Sequence, residues 1–374
     1  MRVMIVDDDP WLADLLKQLV LSARPAATPE CFGDAQSAFD AWQRTRYQLV
    51  LADWNLPYES GLSLLRRIRQ HDKDTPLVMI TGRSDRESVL SVRPLAISAY
   101  ITKPFDVPKV LACIEQLLPL DRTLVANGIL REDLLSYLGR LTAADLDLPL
   151  LAGVKERLKL VCQGVALDFR ELTEHWQNDP ALCAYLIAAS NSAAYGMGGE
   201  PCLSLVEALK RLGGRTSLNL AVALALRQTC VQEDTFVALL QREYLDASER
   251  LAEQVVSLAR QAGIESAPLQ VAALLHRMGE LCVLLQCEKW VSQGNVLDDQ
   301  LLTQAIDAFA MPFALSLKAQ WGLPMALREL IGAAYALPKV QVRREQVLMR
   351  LASALCNGEP TAEVERLKRL AGIS

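Results

Sequence analysis

Short strand-like runs, all but the second largely apolar and followed by a polar or charged side chain, punctuate the first 120 residues at 2–6, 28–32, 48–52, 77–80 and 99–102. Runs of this length, apolar almost throughout, predict strands buried on both faces. Stretches near 10–24, 34–46, 60–71, 85–93 and 107–118 carry helical spacing instead. In the third, Leu62, Leu65 and Ile68 recur every three residues while Arg66, Arg67 and Arg69 point away. Alternation of strand and helix predicts an α/β domain over 1–120, a doubly wound, five-stranded parallel sheet.

The pattern then changes. Residues 121–145 read as a linker, with a turn at Asn127-Gly128 and a short coupling helix within 129–140. Over 146–374 the strand signal disappears and apolar residues recur at helical spacing, predicting an all-α domain of ten or more helices. Asp179-Pro180 places an N-cap before a proline at the first helical position. Ser204-Leu205-Val206-Glu207 has the form of a capping box, and Trp321-Gly322-Leu323-Pro324 reads as a break between helices.

Composition narrows the classes. With 374 residues and 51% apolar content the chain can build two cores. No apolar stretch reaches the ~18–20 residues of a membrane span, and the first run is too short for a signal-peptide core. A cytoplasmic protein with no membrane partner is expected. The net charge is −5 and neither half is basic, which disfavours nucleic acid as a partner. The nine cysteines stand singly, without CxxC spacing, and are expected to be reduced and buried.

In an open parallel sheet, strand C-termini line one edge, where ligands bind. That edge would gather Asp7 and Asp8, Asp53, Thr81 and Lys103. A carboxylate attacks a phosphoryl group only when cations neutralise the repulsion between them. Asp7, Asp8 and Asp53 offer hard oxygen donors that suit Mg2+. Asp53 would also be the nucleophile, Thr81 would bond a phosphoryl oxygen, and Lys103 would pair with Asp53 and then with the phosphoryl group.

Val6-Asp7-Asp8-Asp9-Pro10, Asp53-Trp54-Asn55-Leu56-Pro57, Ile80-Thr81-Gly82 and Lys103-Pro104-Phe105 together resemble the receiver domain of bacterial two-component response regulators. The resemblance implies a flavodoxin-like fold and a sensor histidine kinase as the phosphate donor for Asp53. It also implies a metal shell completed by the backbone carbonyl of Asn55, with Tyr100 as an aromatic switch. Ala96-Ile97-Ser98-Ala99 departs from the glycine-alanine pair that often precedes that aromatic residue.

Histidines are His71, His175 and His276 only. Ala273-Leu274-Leu275-His276-Arg277-Met278-Gly279-Glu280 looks like the metal-binding helix of an HD-type phosphohydrolase, with Arg277 where an aspartate is needed. The upstream region that would carry another ligand reads Asp246-Ala247-Ser248-Glu249, without histidine. Asn178-Asp179-Pro180, Ala189-Ser190-Asn191-Ser192-Ala193-Ala194-Tyr195-Gly196, Leu212-Gly213 and the Trp321 segment resemble the HDOD domain, a degenerate relative of those hydrolases. That resemblance implies a non-catalytic output domain that binds an unidentified downstream protein. Phosphorylation would then act on inter-domain contact, on homodimerisation, or on both. Two alternatives are a metal-dependent cyclic-dinucleotide phosphodiesterase and a nucleic-acid-binding regulator. For the latter, the best candidate helix is 343–350, read as a solvated face.

Overall fold

The structure is a computed structural model that describes residues 1–82, 92–118, 133–163, 169–196, 200–228 and 236–373. It divides into two compact units. The first comprises residues 1–127, 156–167 and 213–227; the second comprises 128–155, 168–212 and 228–374.

In the first unit, strands β1 (Arg2–Val6), β2 (Thr28–Phe32), β3 (Leu49–Asp53), β4 (Leu77–Thr81) and β5 (Ala99–Thr102) form one sheet in the order β2-β1-β3-β4-β5. Every pairing is parallel. Helices α1 (Pro10–Ala23), α2 (Ala35–Arg44), α3 (Gly61–His71) and α4 (Val107–Leu117) alternate with the strands. The helix expected at 85–93 falls largely outside the described residues. β3 and β4 are buried along their whole length, so their side chains reach core on both faces. One face gathers Val6, Phe39, Val50, Leu65, Ile68 and Met79 in a single cluster.

Helix starts follow the local chemistry. Asp9 accepts the amide of Trp11, Asp34 that of Ser37, and Ser60 that of Ser63. Each such cap contributes about 0.5–2 kcal/mol. Gly61 has a tighter requirement. A Cβ there would sit 1.8 Å from the backbone oxygen of Asp53. The start of α3 can therefore lie against the end of β3 only if that residue is glycine.

From residue 133 onward the described residues hold thirteen α-helices and no strand. They are α5 (Leu134–Arg140), α6 (Ala152–Cys162), α7 (Phe169–Trp176), α8 (Pro180–Ser190), α9 (Leu205–Leu212), α10 (Gly214–Leu226) and α11 (Phe236–Ala262), followed by α12 (Ala267–Leu274), α13 (Met278–Ser292), α14 (Asp299–Gln320), α15 (Met325–Ala333), α16 (Arg344–Cys356) and α17 (Thr361–Ala371).

Within the second unit, α8 and α13 are hydrophobic almost all round and form its interior. Asp179 caps α8 through the amide of Leu182 at 2.9 Å and also accepts the amide of Leu151 at 2.8 Å. Full burial raises its carboxyl to about 7 against those bonds. α13 packs on α14 at Gly279, where a Cβ would lie 2.1 Å from the Ala310 carbonyl. The Trp321 segment separates α14 from α15, with Gly322 at φ +55°.

Three expectations are corrected. The box at Ser204 is half formed: its hydroxyl accepts the amide of Glu207, but that carboxylate pairs with Arg211 one turn on. The 343–350 segment is not a solvated face. Gln346, Val347, Leu348 and Met349 are buried, because α16 packs against α11, α15 and α17. Not all cysteines are buried: Cys31 and Cys356 belong to exposed residues, while Cys183, Cys202, Cys282 and Cys287 lie in the interior. No single described helix is long and apolar enough to cross a membrane.

Candidate functional site at the sheet edge

Register alone places the site. Val6 pairs with Ala52, so Asp7 emerges beside Asp53. Asp53 pairs with Ile80 and Thr81 with Thr102, which brings Thr81 and Lys103 to the same edge. Backbone bonds carry the alignment past the strands: Asp7 N–H donates to Phe32, Trp54 to Ile80 and Lys103 to Thr81.

Asp7, Asp8 and Asp53 each present a carboxylate oxygen within 4.8 Å of the others. Asp7 and Asp53 are 3% and 5% exposed, whereas Asp8 faces solvent. The amide of Asp9 holds Asp7 Oδ1 at 3.0 Å. Lys103 Nζ donates to Asp7 Oδ2 at 2.8 Å and lies 3.1 Å from Asp53 Oδ2. Asp53 Oδ1 is buried with no hydrogen-bond partner.

The electrostatics follow from this crowding. Burial raises the Asp7 carboxyl to about 6, and the neighbouring Asp53 adds to the rise against the pull of Lys103. Burial would lower the Lys103 ammonium, but Asp7 and Asp53 together outweigh it and hold the group above its ordinary value. Both members of the close pair shift upward, Asp7 because burial outweighs the pull of Lys103 and Lys103 because two carboxylates outweigh its burial. Lys103 is therefore firmly charged, while Asp7 remains under-compensated.

Thr81 is fully buried at the end of β4. Tyr100 is half-buried on β5 and packs against the cluster that includes Met79 and Leu95. Asn55 is exposed in the loop after β3. Sequence reasoning missed Gly61, whose closeness to Asp53 has no motif to signal it.

His276 and Arg277 belong to the second unit, at the corner between α12 and α13. His276 Nδ1 is 2.7 Å from the Ala273 carbonyl, an arrangement that makes it the donor. Burial, with some repulsion from Arg277, lowers its imidazole to about 4. His175 is exposed beside buried Trp176. Among the described residues, the group of three or more potential metal ligands is Asp7, Asp8 and Asp53.

The 2-1-3-4-5 parallel sheet, with acidic groups at its carboxyl edge, defines a receiver domain of the response-regulator class. The response regulator receiver domain family matches residues 3–115, and the HDOD domain family matches residues 148–337. With more than half its length in the second match, the chain belongs to the HDOD family, as a two-component response regulator whose receiver precedes that domain.

The chain is 32% identical over 114 residues to the transcriptional regulatory protein DltR of Streptococcus agalactiae, a span covering 30% of this chain and 50% of the relative. The chain thus spans half the length of that relative. It is 31% identical over 107 residues to the chemotaxis protein CheY-3 of Vibrio cholerae, covering 28% of this chain and 82% of the relative. It is 30% identical over 204 residues to the regulatory protein VanRB of Enterococcus faecalis, covering 53% and 83%. Among solved structures, the receiver domain of an HD domain-containing protein from Pseudomonas fluorescens is 28% identical, with a TM-score of 0.29, over 31% of this chain and 92% of the other. The MmoQ response regulator fragment from Methylococcus capsulatus is 18% identical, with a TM-score of 0.46, over 61% and 92%.

Proposed function

We propose that Asp53 accepts a phosphoryl group from a sensor histidine kinase and that the change is relayed to a non-catalytic, protein-binding HDOD domain. The observation that carries this reading is Asp53 Oδ1, an unpartnered carboxylate oxygen buried at the sheet edge beside an ammonium and two further carboxylates. A buried acceptor without a bond is costly, and the cost falls when a cation or a phosphoryl group engages it.

The residues fit Mg2+: all donors are oxygen, and one stands exposed for exchange with solvent. Asp7, Asp8, Asp53 and the Asn55 carbonyl would hold it, and when bound it supplies neutralisation of the phosphoryl oxygens. Asp53 attacks phosphorus, forming an O–P bond as the donor's N–P bond breaks, and the electron pair leaves with the imidazole. Lys103 stays charged throughout and pairs with the new phosphoryl oxygens. Thr81 offers its hydroxyl to one of them. Tyr100, half-buried at the end of the same sheet, rotates inward as Thr81 moves. The added charge of about −1.5 to −2 biases the equilibrium between the two arrangements.

In the HDOD domain, the HD metal site is lost in this reading. Arg277 stands where a carboxylate is needed, and a guanidinium opposes a divalent cation.

The test is phosphorylation by acetyl phosphate in Mg2+, read by intact-protein mass. Wild type should gain one phosphoryl group and Asp53→Ala none, with both folded by circular dichroism. Equal labelling of Asp53→Ala would remove the assignment.

A further inference from the structure

The second unit contains a cavity of 370 Å³. Tyr244 and Arg250 of α11, His276 and Arg277 at the α12–α13 corner, Tyr335 just past α15 and Arg350 of α16 all line it. The size falls within the ~300–1,000 Å³ range of small-molecule sites.

Arg277 is the telling residue. Its Nε is buried with no hydrogen-bond partner. Its guanidinium carbon lies 4.9 Å from the centroid of the Tyr244 ring, a cation–π contact that orders the side chain. Arg277 is also the N-cap of α13, where it makes no side-chain cap bond. A fixed positive charge at that end of a helix opposes the helix dipole, whereas an anion there would be favoured.

The other charged groups leave the wall cationic. Arg350 is held by Glu359 through two bonds, at 2.8 and 2.6 Å. Arg250 and Glu243 are both exposed at the rim. Within the lining, three guanidiniums face two carboxylates, and the nearby Glu280 carboxylate, which acts with Arg277 on both Tyr335 and Tyr244, offsets part of that excess while leaving Arg277 Nε unpartnered. His276 is committed to the Ala273 carbonyl. Tyr335 donates its hydroxyl to the His276 carbonyl at 2.6 Å, yet the residue remains 57% exposed and offers an aromatic face.

We propose that this cavity binds a phosphorylated small molecule of mononucleotide size, with the phosphate on Arg277 and a planar ring against Tyr335. Nothing in this depends on phosphotransfer at Asp53.

The full chain, in EDTA, is titrated by calorimetry with 5′-AMP, 5′-GMP, adenosine and inorganic phosphate. A mononucleotide should bind more tightly than adenosine or phosphate. Arg277→Gln should weaken it about 10- to 100-fold, as loss of a charged hydrogen bond does. Arg250→Gln, an exposed substitution that leaves the fold intact, should weaken it several-fold and serves if Arg277→Gln fails to fold. Asp53→Asn should bind like wild type, which separates this site from the phosphoacceptor. No binding of either mononucleotide at millimolar concentration overturns the proposal. So does affinity unchanged in the folded arginine variants, or phosphate binding as tightly as the mononucleotides.

Discussion

Lys103 Nζ lies closer to Asp7 Oδ2, at 2.8 Å, than to Asp53 Oδ2, at 3.1 Å. The ammonium is thus divided between the two buried carboxylates and leans toward Asp7. Removing either side of this arrangement should move stability in opposite directions. Lys103→Met leaves two buried carboxylates without a cation and should destabilise the receiver by about 2 kcal/mol, less than the ~3–5 kcal/mol of a fully buried pair because Lys103 is partly exposed. The change is read from the denaturant midpoint at neutral pH in EDTA.

Asp7→Asn should stabilise. The Asp7 carboxyl is raised from 3.8 to about 6, so the folded protein binds that proton more tightly than the unfolded chain does. Its contribution is therefore fully present below about pH 4 and is lost as pH rises through about 6. In metal-free buffer, wild-type stability should decline across that window relative to Asp7→Asn. At pH 7.5 the variant should be more stable by about 1–3 kcal/mol. Parallel pH profiles for the two proteins would contradict this.

If the Asp7, Asp8 and Asp53 cluster holds Mg2+ as proposed, the ion should raise the unfolding temperature through mass action, because the unfolded chain lacks the assembled site. Asp8 is exposed, so Asp8→Ala should fold normally while losing most of that Mg2+-dependent shift. Melting curves from zero to 20 mM Mg2+ (about 20 mM being many times a millimolar Kd) measure it.

Gly61→Ala should disturb Asp53, the proposed phosphoacceptor, without altering a carboxylate. The added methyl would meet the Asp53 carbonyl at 1.8 Å, and backbone at that distance must move. A loss of about 1–3 kcal/mol is expected, as for other overpacked positions, together with slower labelling by acetyl phosphate. Gly279→Ala makes the matching test in the second unit, where the obstacle is the Ala310 carbonyl. It should lower stability by a similar amount and leave the Mg2+ response unchanged.

The receiver fold was legible because β1, β3 and β4 are apolar almost without interruption, and every strand but β2 ends at or beside one of Asp7, Asp53, Thr81 and Lys103. Asp7, Asp53, Thr81 and Lys103 come together because parallel register aligns strand ends, and register follows from the buried runs themselves. The strand ends were harder to place: β3 and β4 each extend one residue further, to Asp53 and Thr81, since those polar side chains are buried with the strand. Gly61 was illegible because its constraint comes from a tertiary approach. The helix beginning at Arg344 was misjudged for a related reason. Its arginines flank a buried face that becomes visible only when α11, α15 and α17 are in place. At Arg277 the sequence shows only a cation at a ligand position; its setting beside Tyr244 depends on tertiary packing.

Tyr100 sits on β5, which hydrogen-bonds to β4 on one side and to no other strand. A ring on an outermost strand has few neighbours to displace when it changes rotamer. Under the proposed phosphotransfer, a signal from Asp53 would leave the domain along this flank while the interior, built on β1, β3 and β4, keeps a single packing.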